Sequence, residues 1–324
     1  MAYGFFGVGV LLLLLGSEAL LRGGIGLARN LGVAPLIIGI LIVTAATSAP
    51  ELAVVLQSAR SAPDIAVGDV VGSNLFNILM ILGFGALIRP LSSPPKVVFR
   101  DAGALLVSAG ALAAIALSGA ISRKFGLILL AGFVAYAIVS FATDWRRSAH
   151  LSAHEGNAEC RIGTKSFGMG SAYMIFGVIA VILGARCLID GGLAIASLYH
   201  LPQFLTALTL ITLGTSVPEL VIASTAIAWR QTNYAAGHII ASSVFNILFV
   251  LGLAAFLHPV SISPMLAHNI LLMAGATLLL LPLLMISWRL TRPRGFLLVL
   301  FYCGYIGLLA WQQHYITPQM IGLH

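Results

Sequence analysis

Two glutamates, Glu51 and Glu219, stand in otherwise apolar surroundings, and each follows the same short polar run. Thr44-Ala45-Ala46-Thr47-Ser48-Ala49-Pro50-Glu51 and Thr212-Leu213-Gly214-Thr215-Ser216-Val217-Pro218-Glu219 are related by a shift of 168 positions. Downstream, Gly68-Asp69-Val70-Val71-Gly72-Ser73-Asn74-Leu75-Phe76-Asn77 matches Gly237-His238-Ile239-Ile240-Ala241-Ser242-Ser243-Val244-Phe245-Asn246 at a shift of 169, one residue having been gained or lost in between. Residues three and four apart share a helix face, which sets Thr47 and Ser48 beside Glu51, and Thr215 and Ser216 beside Glu219. By the same spacing Ser73 shares a face with Asn77, and Ser242 with Asn246. Pro50 and Pro218 have no N–H to donate and disturb the carbonyl four residues earlier, so the carbonyls of Ala46 and Gly214 are expected to be freed.

If the two clusters meet, they gather two carboxylates, six hydroxyls and two side-chain amide oxygens. Such an all-oxygen set suits a hard cation, whereas Zn2+ or Cu+ would call for imidazole or thiolate. Six to eight flexible oxygens and two negative charges fit Ca2+ better than Mg2+, which demands tight octahedral geometry. The same carboxylates can hold Na+ or protons instead, and mutually exclusive occupancy then gives exchange. The candidate cation ligands are Thr47, Ser48, Glu51, Ser73, Asn77, Thr215, Ser216, Glu219, Ser242 and Asn246. Either glutamate alone is a stronger candidate as a ligand than as a buried structural carboxylate, and the matched pair strengthens the case for a site. Glu51 and Glu219 are expected to be the only acidic residues deep within spans. Asp69 and His238, at equivalent positions, are read as polar contacts near a helix start and not as ligands. No cofactor is called for, and Cys160, Cys187 and Cys303 have neither metal-ligand nor disulfide spacing.

The surrounding elements are membrane spans. The 324 residues are 60% apolar and 8% charged, and runs of about 20 apolar residues, long enough to cross a bilayer as helix, recur along the chain. The alternation of an outer-membrane barrel is absent. Breaks at Gly, Pro and charge clusters predict ten spans, near 4–21, 35–58, 64–88, 97–118, 124–143, 168–188, 203–229, 233–257, 265–287 and 295–312. The first lacks the basic leader of a cleaved signal and is read as a span. The expected organisation is all-α: residues 1–143 with five spans, a polar linker at 144–167, and residues 168–324 with five more. An odd number per half makes the second copy enter the membrane in the opposite sense. The halves are therefore inverted repeats, the plan of many secondary transporters. Glu18 and Arg22 align with Arg186 and Asp190, an i,i+4 ion pair with its charges exchanged. The glycine pairs Gly23-Gly24 and Gly191-Gly192 read as hinges or as helix ends.

Of the 17 Lys and Arg, thirteen follow odd-numbered spans and four follow even-numbered ones. Positive residues stay on the cytoplasmic side, which puts both termini outside and the 144–167 loop in the cytoplasm of a cell with this protein in its inner (plasma) membrane. The net charge of +7 is scattered over these connections, so a nucleic-acid partner is not expected. The partners are inorganic cations and membrane lipid; a monomer is the default, the sequence being silent on assembly.

These motifs resemble the alpha-repeats of the Ca2+/cation antiporter superfamily, and in particular its Na+/Ca2+ exchanger-like prokaryotic branch. The resemblance implies that the two glutamates bind Ca2+ and serve Na+ sites together with the Thr, Ser and Asn positions, with backbone carbonyls near Thr44 and Thr212 as further ligands. The chain departs from the pattern at Ala46, where Gly is usual, at Ala241-Ser242-Ser243, where Gly-Ser-Asn is usual, and at His238, where Asn is usual. It has Asn at both Asn77 and Asn246, where some relatives carry Asp. Ca2+/H+ exchangers of the superfamily usually have an Asn-Ala-Ala-Glu-like run in place of Thr-Ser-x-Pro-Glu, which favours Na+ as the coupling ion over H+. The expected function is antiport of Ca2+ against Na+ by alternating access, with spans one and six sliding on the rest. No P-loop is present, so an ion gradient must drive it. A passive cation channel would use the same oxygens. An intramembrane enzyme with Ser48 or Ser216 as nucleophile lacks a placed base other than a glutamate, and no enzymatic activity is expected.

Overall fold

The computed structural model of the chain describes residues 2–30, 43–92, 95, 98–151, 166–199, 201, 203–228 and 230–321. In chain order these form α1 (Ala2–Asn30), α2 (Val43–Thr47), α3 (Ala49–Ser58), α4 (Pro63–Ile88), β1 (Leu91–Ser92), α5 (Val98–Ala116), β2 (Ala120–Ile121), α6 (Arg123–Leu151), α7 (Phe167–Leu198), α8 (203–215), α9 (Val217–Ala228), α10 (Thr232–Leu257), β3 (Val260–Ser261), α11 (Pro264–Met285), β4 (Arg289–Leu290) and α12 (Arg292–Ile321). Among the described residues, eight helices are long and apolar enough to cross a membrane. The bent pair of Ala207–Thr215 and α9, which meet at 55°, makes a ninth span if counted as one. The first part of the expected span 35–58 and most of the 144–167 linker, at 152–165, lie outside the described residues.

The fold is all-α, save for four strands of two residues each. These pair antiparallel as β1 with β4 and β2 with β3, clamping the ends of neighbouring helices. In α4 and α10, 78% and 83% of the most apolar stretch is buried, against 17–44% in the other long helices. Those two helices are therefore the centre, and the others form a wall around them. The wall turns Leu11, Leu127, Ile138, Ile175, Ile179 and Leu300 outward, an apolar exterior that only lipid can cover at no cost.

Small residues set the helix spacing. Glycines recur every seven positions along α1, at Gly9, Gly16 and Gly23, and along α7, at Gly170, Gly177, Gly184 and Gly191. The helices run antiparallel: a methyl placed on Gly16 would sit 2.8 Å from Val181 Cγ2 and 3.1 Å from the Gly177 carbonyl, and one on Gly23 would sit 2.8 Å from the Gly170 carbonyl. Backbones in such contact gain packing that lipid cannot supply. A second set of close approaches is reciprocal. Gly83 of α4 meets Gly295 of α12, and Gly252 of α10 meets Gly126 of α6; the partners are related by the same 169-residue shift. The strand pairs obey it too, since Leu91 faces Leu290 and Val260 faces Ile121.

Several expected boundaries change. The first and sixth spans were placed at 4–21 and 168–188, but α1 and α7 run on to Asn30 and Leu198. Gly23-Gly24 and Gly191-Gly192 thus lie inside continuous helix, where Gly23 and Gly191 serve contact and not breakage. The fifth span continues past 143 to Leu151, taking the first residues of the linker into α6. Arg22 Nε does lie 2.6 Å from Glu18 Oε1, whereas among the described residues no ion pair joins Arg186 to Asp190.

Candidate cation site

Each proline-glutamate motif folds as a break between two helices. Ser48 (φ −83°, ψ 7°) separates α2 from α3, and Ser216 (φ −86°, ψ 6°) separates α8 from α9. Pro50 and Pro218 then occupy the first turn of a new helix, where the missing N–H costs nothing. The continuous-helix expectation for the motif is thereby corrected. The break turns each serine away from the glutamate in its own run and toward the one in the other half.

Ser48 Oγ donates to Glu219 Oε1 at 3.2 Å and lies 2.9 Å from Ser242 Oγ, while Ser242 Oγ donates to the same carboxylate oxygen at 3.1 Å. Reciprocally, Ser216 Oγ lies 3.4 Å from Glu51 Oε1 and 3.1 Å from Ser73 Oγ. The two carboxylates are close enough to feel one another's charge. Ser73 and Ser242 come from the buried helices α4 and α10. One turn further along each, the backbone widens into π-helical turns at Phe76–Ile81 and Asn246–Leu251, a distortion common at functional positions. Asn77 and Asn246 sit in these turns. Asn77 Nδ2 donates weakly to Ser243 Oγ at 3.4 Å, and neither amide atom of Asn246 has a partner.

All ten candidate ligands are at most 1% exposed, yet Glu51 Oε2, Glu219 Oε2, Asn77 Oδ1 and Asn246 Oδ1 accept no well-formed hydrogen bond. Buried oxygens left in this state are costly, and a hard cation satisfies them. The threonines are buried as well. Thr47 Oγ1 donates to the Thr44 carbonyl at 3.2 Å and lies near Glu219, and Thr215 Oγ1 donates to the Thr212 carbonyl at 3.2 Å and to Asp69 Oδ1 at 3.0 Å. The Thr44 and Thr212 carbonyls also accept the Ser48 and Ser216 N–H groups at 2.9 and 3.0 Å, so both are engaged within the helix.

Glu51 and Glu219 are not the only buried carboxyls among the described residues, although the others lie nearer the starts of their helices. Asp101 is buried in a pair with its neighbour Arg100, and Asp69 is fully buried beside the site. Asp69 lies less than two turns into α4, which begins at Pro63, and makes the polar contact expected of it, with Thr215. Its signal was present: Asp69, Ser73 and Asn77 follow one another at four-residue intervals, the spacing of a single helix face. Among the described residues no group of three His, Cys, Asp or Glu side chains converges to hold one metal ion, so the centre relies on neutral oxygens around its carboxylates.

Helices that expose hydrocarbon outward and enclose a buried, oxygen-rich centre define an all-α polytopic membrane protein. The chain belongs to the sodium/calcium exchanger family, whose model matches residues 1–142 and 169–311 and leaves out the polar linker. It is 32% identical over 311 residues to the putative antiporter CaxA of Alkalimonas amylolytica, covering 93% of this chain and 96% of that one. Over 263 residues it is 32% identical to the inner membrane protein YrbG of Escherichia coli, 80% of each chain being covered. Among solved structures it resembles the sodium-calcium exchanger NCX_Mj soaked with 2.5 mM Na+ and 10 mM Sr2+, at a TM-score of 0.67 and 25% identity, with 94% of this chain and 98% of that one covered.

Proposed function

We propose that this chain is a secondary active antiporter that exchanges Ca2+ for Na+ by alternating access. The observation that carries the reading is the crossing of the serines: the glutamate of each half accepts from a serine of the other, so neither half makes a site alone. Thr47, Ser48, Glu51, Ser73, Asn77, Thr215, Ser216, Glu219, Ser242 and Asn246 are assigned as cation ligands. The four unsatisfied buried oxygens support that assignment. Two carboxylates match the charge of Ca2+, and protonation or Na+ binding on the same groups competes with it. The names of CaxA, a putative antiporter, and of the 28%-identical sodium/calcium exchanger MaX1 of Methanosarcina acetivorans agree with this chemistry.

The architecture that goes with it is ten spans in two inverted halves, 1–143 and 168–324, joined by 144–167. The reciprocal glycine and strand contacts support a pseudo-two-fold relation, and antiparallel packing of α1 on α7 supports its inversion. The chain sits in the plasma membrane with its termini outside and the linker in the cytoplasm. It acts as a transporter and not as an enzyme.

Purified protein in liposomes tests the reading through radiocalcium uptake driven by an outward Na+ gradient and, separately, by a pH gradient. Uptake that needs the Na+ gradient is expected, together with its loss in Glu51→Gln and in Glu219→Gln. Full transport by either variant removes the site. Uptake with neither gradient makes the protein a channel, and uptake with the pH gradient alone makes H+ the coupling ion.

A further inference from the structure

The two strand pairs repeat one another at the 169-residue shift, yet their side chains differ. At the β1–β4 pair, Arg89 follows α4, Arg289 lies in β4 opposite Ser92, and Arg292 begins α12 with Nη2 3.4 Å from the Ile88 carbonyl. Arg294 is spent locally: it donates to the carbonyls of Leu283, Ile286 and Arg289 and so closes the turn after α11. Arg89, Arg289 and Arg292 are in no ion pair among the described residues. The sequence supplies little to pair them with, since no acidic residue follows Glu219 and the only one between Asp69 and Asp144 is Asp101, which Arg100 holds. Arg89 is half-buried, its Nη1 shielded and without an acceptor. A guanidinium group left in that state is costly.

Aromatic and apolar side chains stand beside these arginines. Phe99 and Trp288 meet edge to face with ring centroids 5.5 Å apart, and Ile88, Phe99 and Ile286 are each more than half exposed. Trp288 has φ 54°, in the left-handed region, where the position 169 residues earlier is Gly119 with φ 77°. That conformation suits glycine, so the tryptophan is kept at a cost in backbone energy. At the other strand pair Arg89 is replaced by His258, Arg289 by Ala120 and Phe99 by His268, while Arg292 has its counterpart in Arg123, with Lys124 next to it. The backbone repeats and the side chains diverge, so the three arginines are not a by-product of the duplicated fold. Unpaired cations at the edge of a hydrocarbon-facing wall, flanked by aromatics of the kind that sit at headgroup level, match an amphiphile. Phosphate oxygens accept from guanidinium forks while acyl chains cover the apolar neighbours; a soluble anion would leave that surface bare. We propose that Arg89, Arg289 and Arg292, with Phe99 and Trp288, bind the phosphate headgroup of an anionic phospholipid at the β1–β4 pair. The inference needs only the membrane embedding and is independent of which ions are exchanged.

The test follows Trp288 fluorescence in the whole chain, with Trp145, Trp229 and Trp311 replaced by Phe. The vesicles are of phosphatidylcholine containing either brominated phosphatidylglycerol or, separately, brominated phosphatidylcholine. Stronger quenching by the phosphatidylglycerol at equal mole fraction is expected, and its apparent affinity is expected to fall about five-fold for each arginine removed by Arg89→Gln, Arg289→Gln and Arg292→Gln. Equal quenching by the two lipids overturns the proposal. So does an equal loss on Arg123→Gln beside the other strand pair, which marks a general surface-charge effect. Displacement of the brominated phosphatidylglycerol by inorganic phosphate makes the ligand a soluble anion and overturns the lipid. Should the triple variant fail to yield a monodisperse protein, Arg289→Gln and Arg292→Gln are measured singly, their side chains being exposed; a fall in each supports the site, and unchanged affinity in both overturns it.

Discussion

The serine hydroxyls link the two halves of the site, and their loss has a defined cost. Ser48→Ala withdraws a donor from Glu219 and leaves a buried acceptor short, a change of about 1–2 kcal/mol. The expected outcome is a roughly five- to thirty-fold rise in half-saturating Ca2+, read from the concentration dependence of uptake. Ser216→Ala is expected to act alike on Glu51, because its position mirrors that of Ser48. The ten candidate residues stood out in the sequence as polar types repeated in apolar surroundings, and all ten are buried. Their partners were not. Helical spacing assigned each serine to its own glutamate, and only the bend at Ser48 and Ser216, set by a proline in the first turn of the next helix, exchanges them. Asp69 shows the opposite case: its spacing with Ser73 and Asn77 was in plain view, and its contact with Thr215 of the other half was not.

The long apolar elements were legible to within a few residues for α4, α5, α10 and α11, where charge or proline marks the ends. They were misjudged in α1 and α7, where a pair of glycines looks like an end but is filled by the neighbouring helix. The π turns at Phe76–Ile81 and Asn246–Leu251 have no signal in composition. Close backbone contact makes the glycine positions sensitive. A methyl on Gly126 would meet the Gly252 carbonyl at 2.8 Å, and the larger Gly126→Val is expected to cost about 1–3 kcal/mol by overpacking. Gly295→Val, its mirror position, is expected to cost a similar amount. Thermal denaturation of the detergent-solubilised variants by size-exclusion chromatography measures both. By contrast, Gly110→Val, where nothing lies within 4 Å, is expected to be near neutral.

At the scale of the whole molecule, an apolar exterior surrounds an apolar core that holds one polar cluster, and the apolar composition foreshadowed the exterior. The proposed sidedness rests on the Lys and Arg distribution. With Cys187 and Cys303 replaced by Ser, the remaining Cys160 of the linker is expected to react with a membrane-impermeant maleimide only when the cytoplasmic face is opened. Labelling of intact cells would reverse the orientation. The reciprocal contacts were foreshadowed by the 168- and 169-residue shifts, but which helix meets which was not, since a repeat in sequence does not state its own packing.

The seven-residue rhythm of glycines along α1 and α7 has a mechanical outcome. Seven residues of helix advance about 10.5 Å, so the two backbones mesh like the teeth of a rack, and any shorter slip drives a side chain into the opposing main chain. Such contacts oppose relative gliding of this pair, so the proposed alternation would carry both together as one slab over the remaining helices.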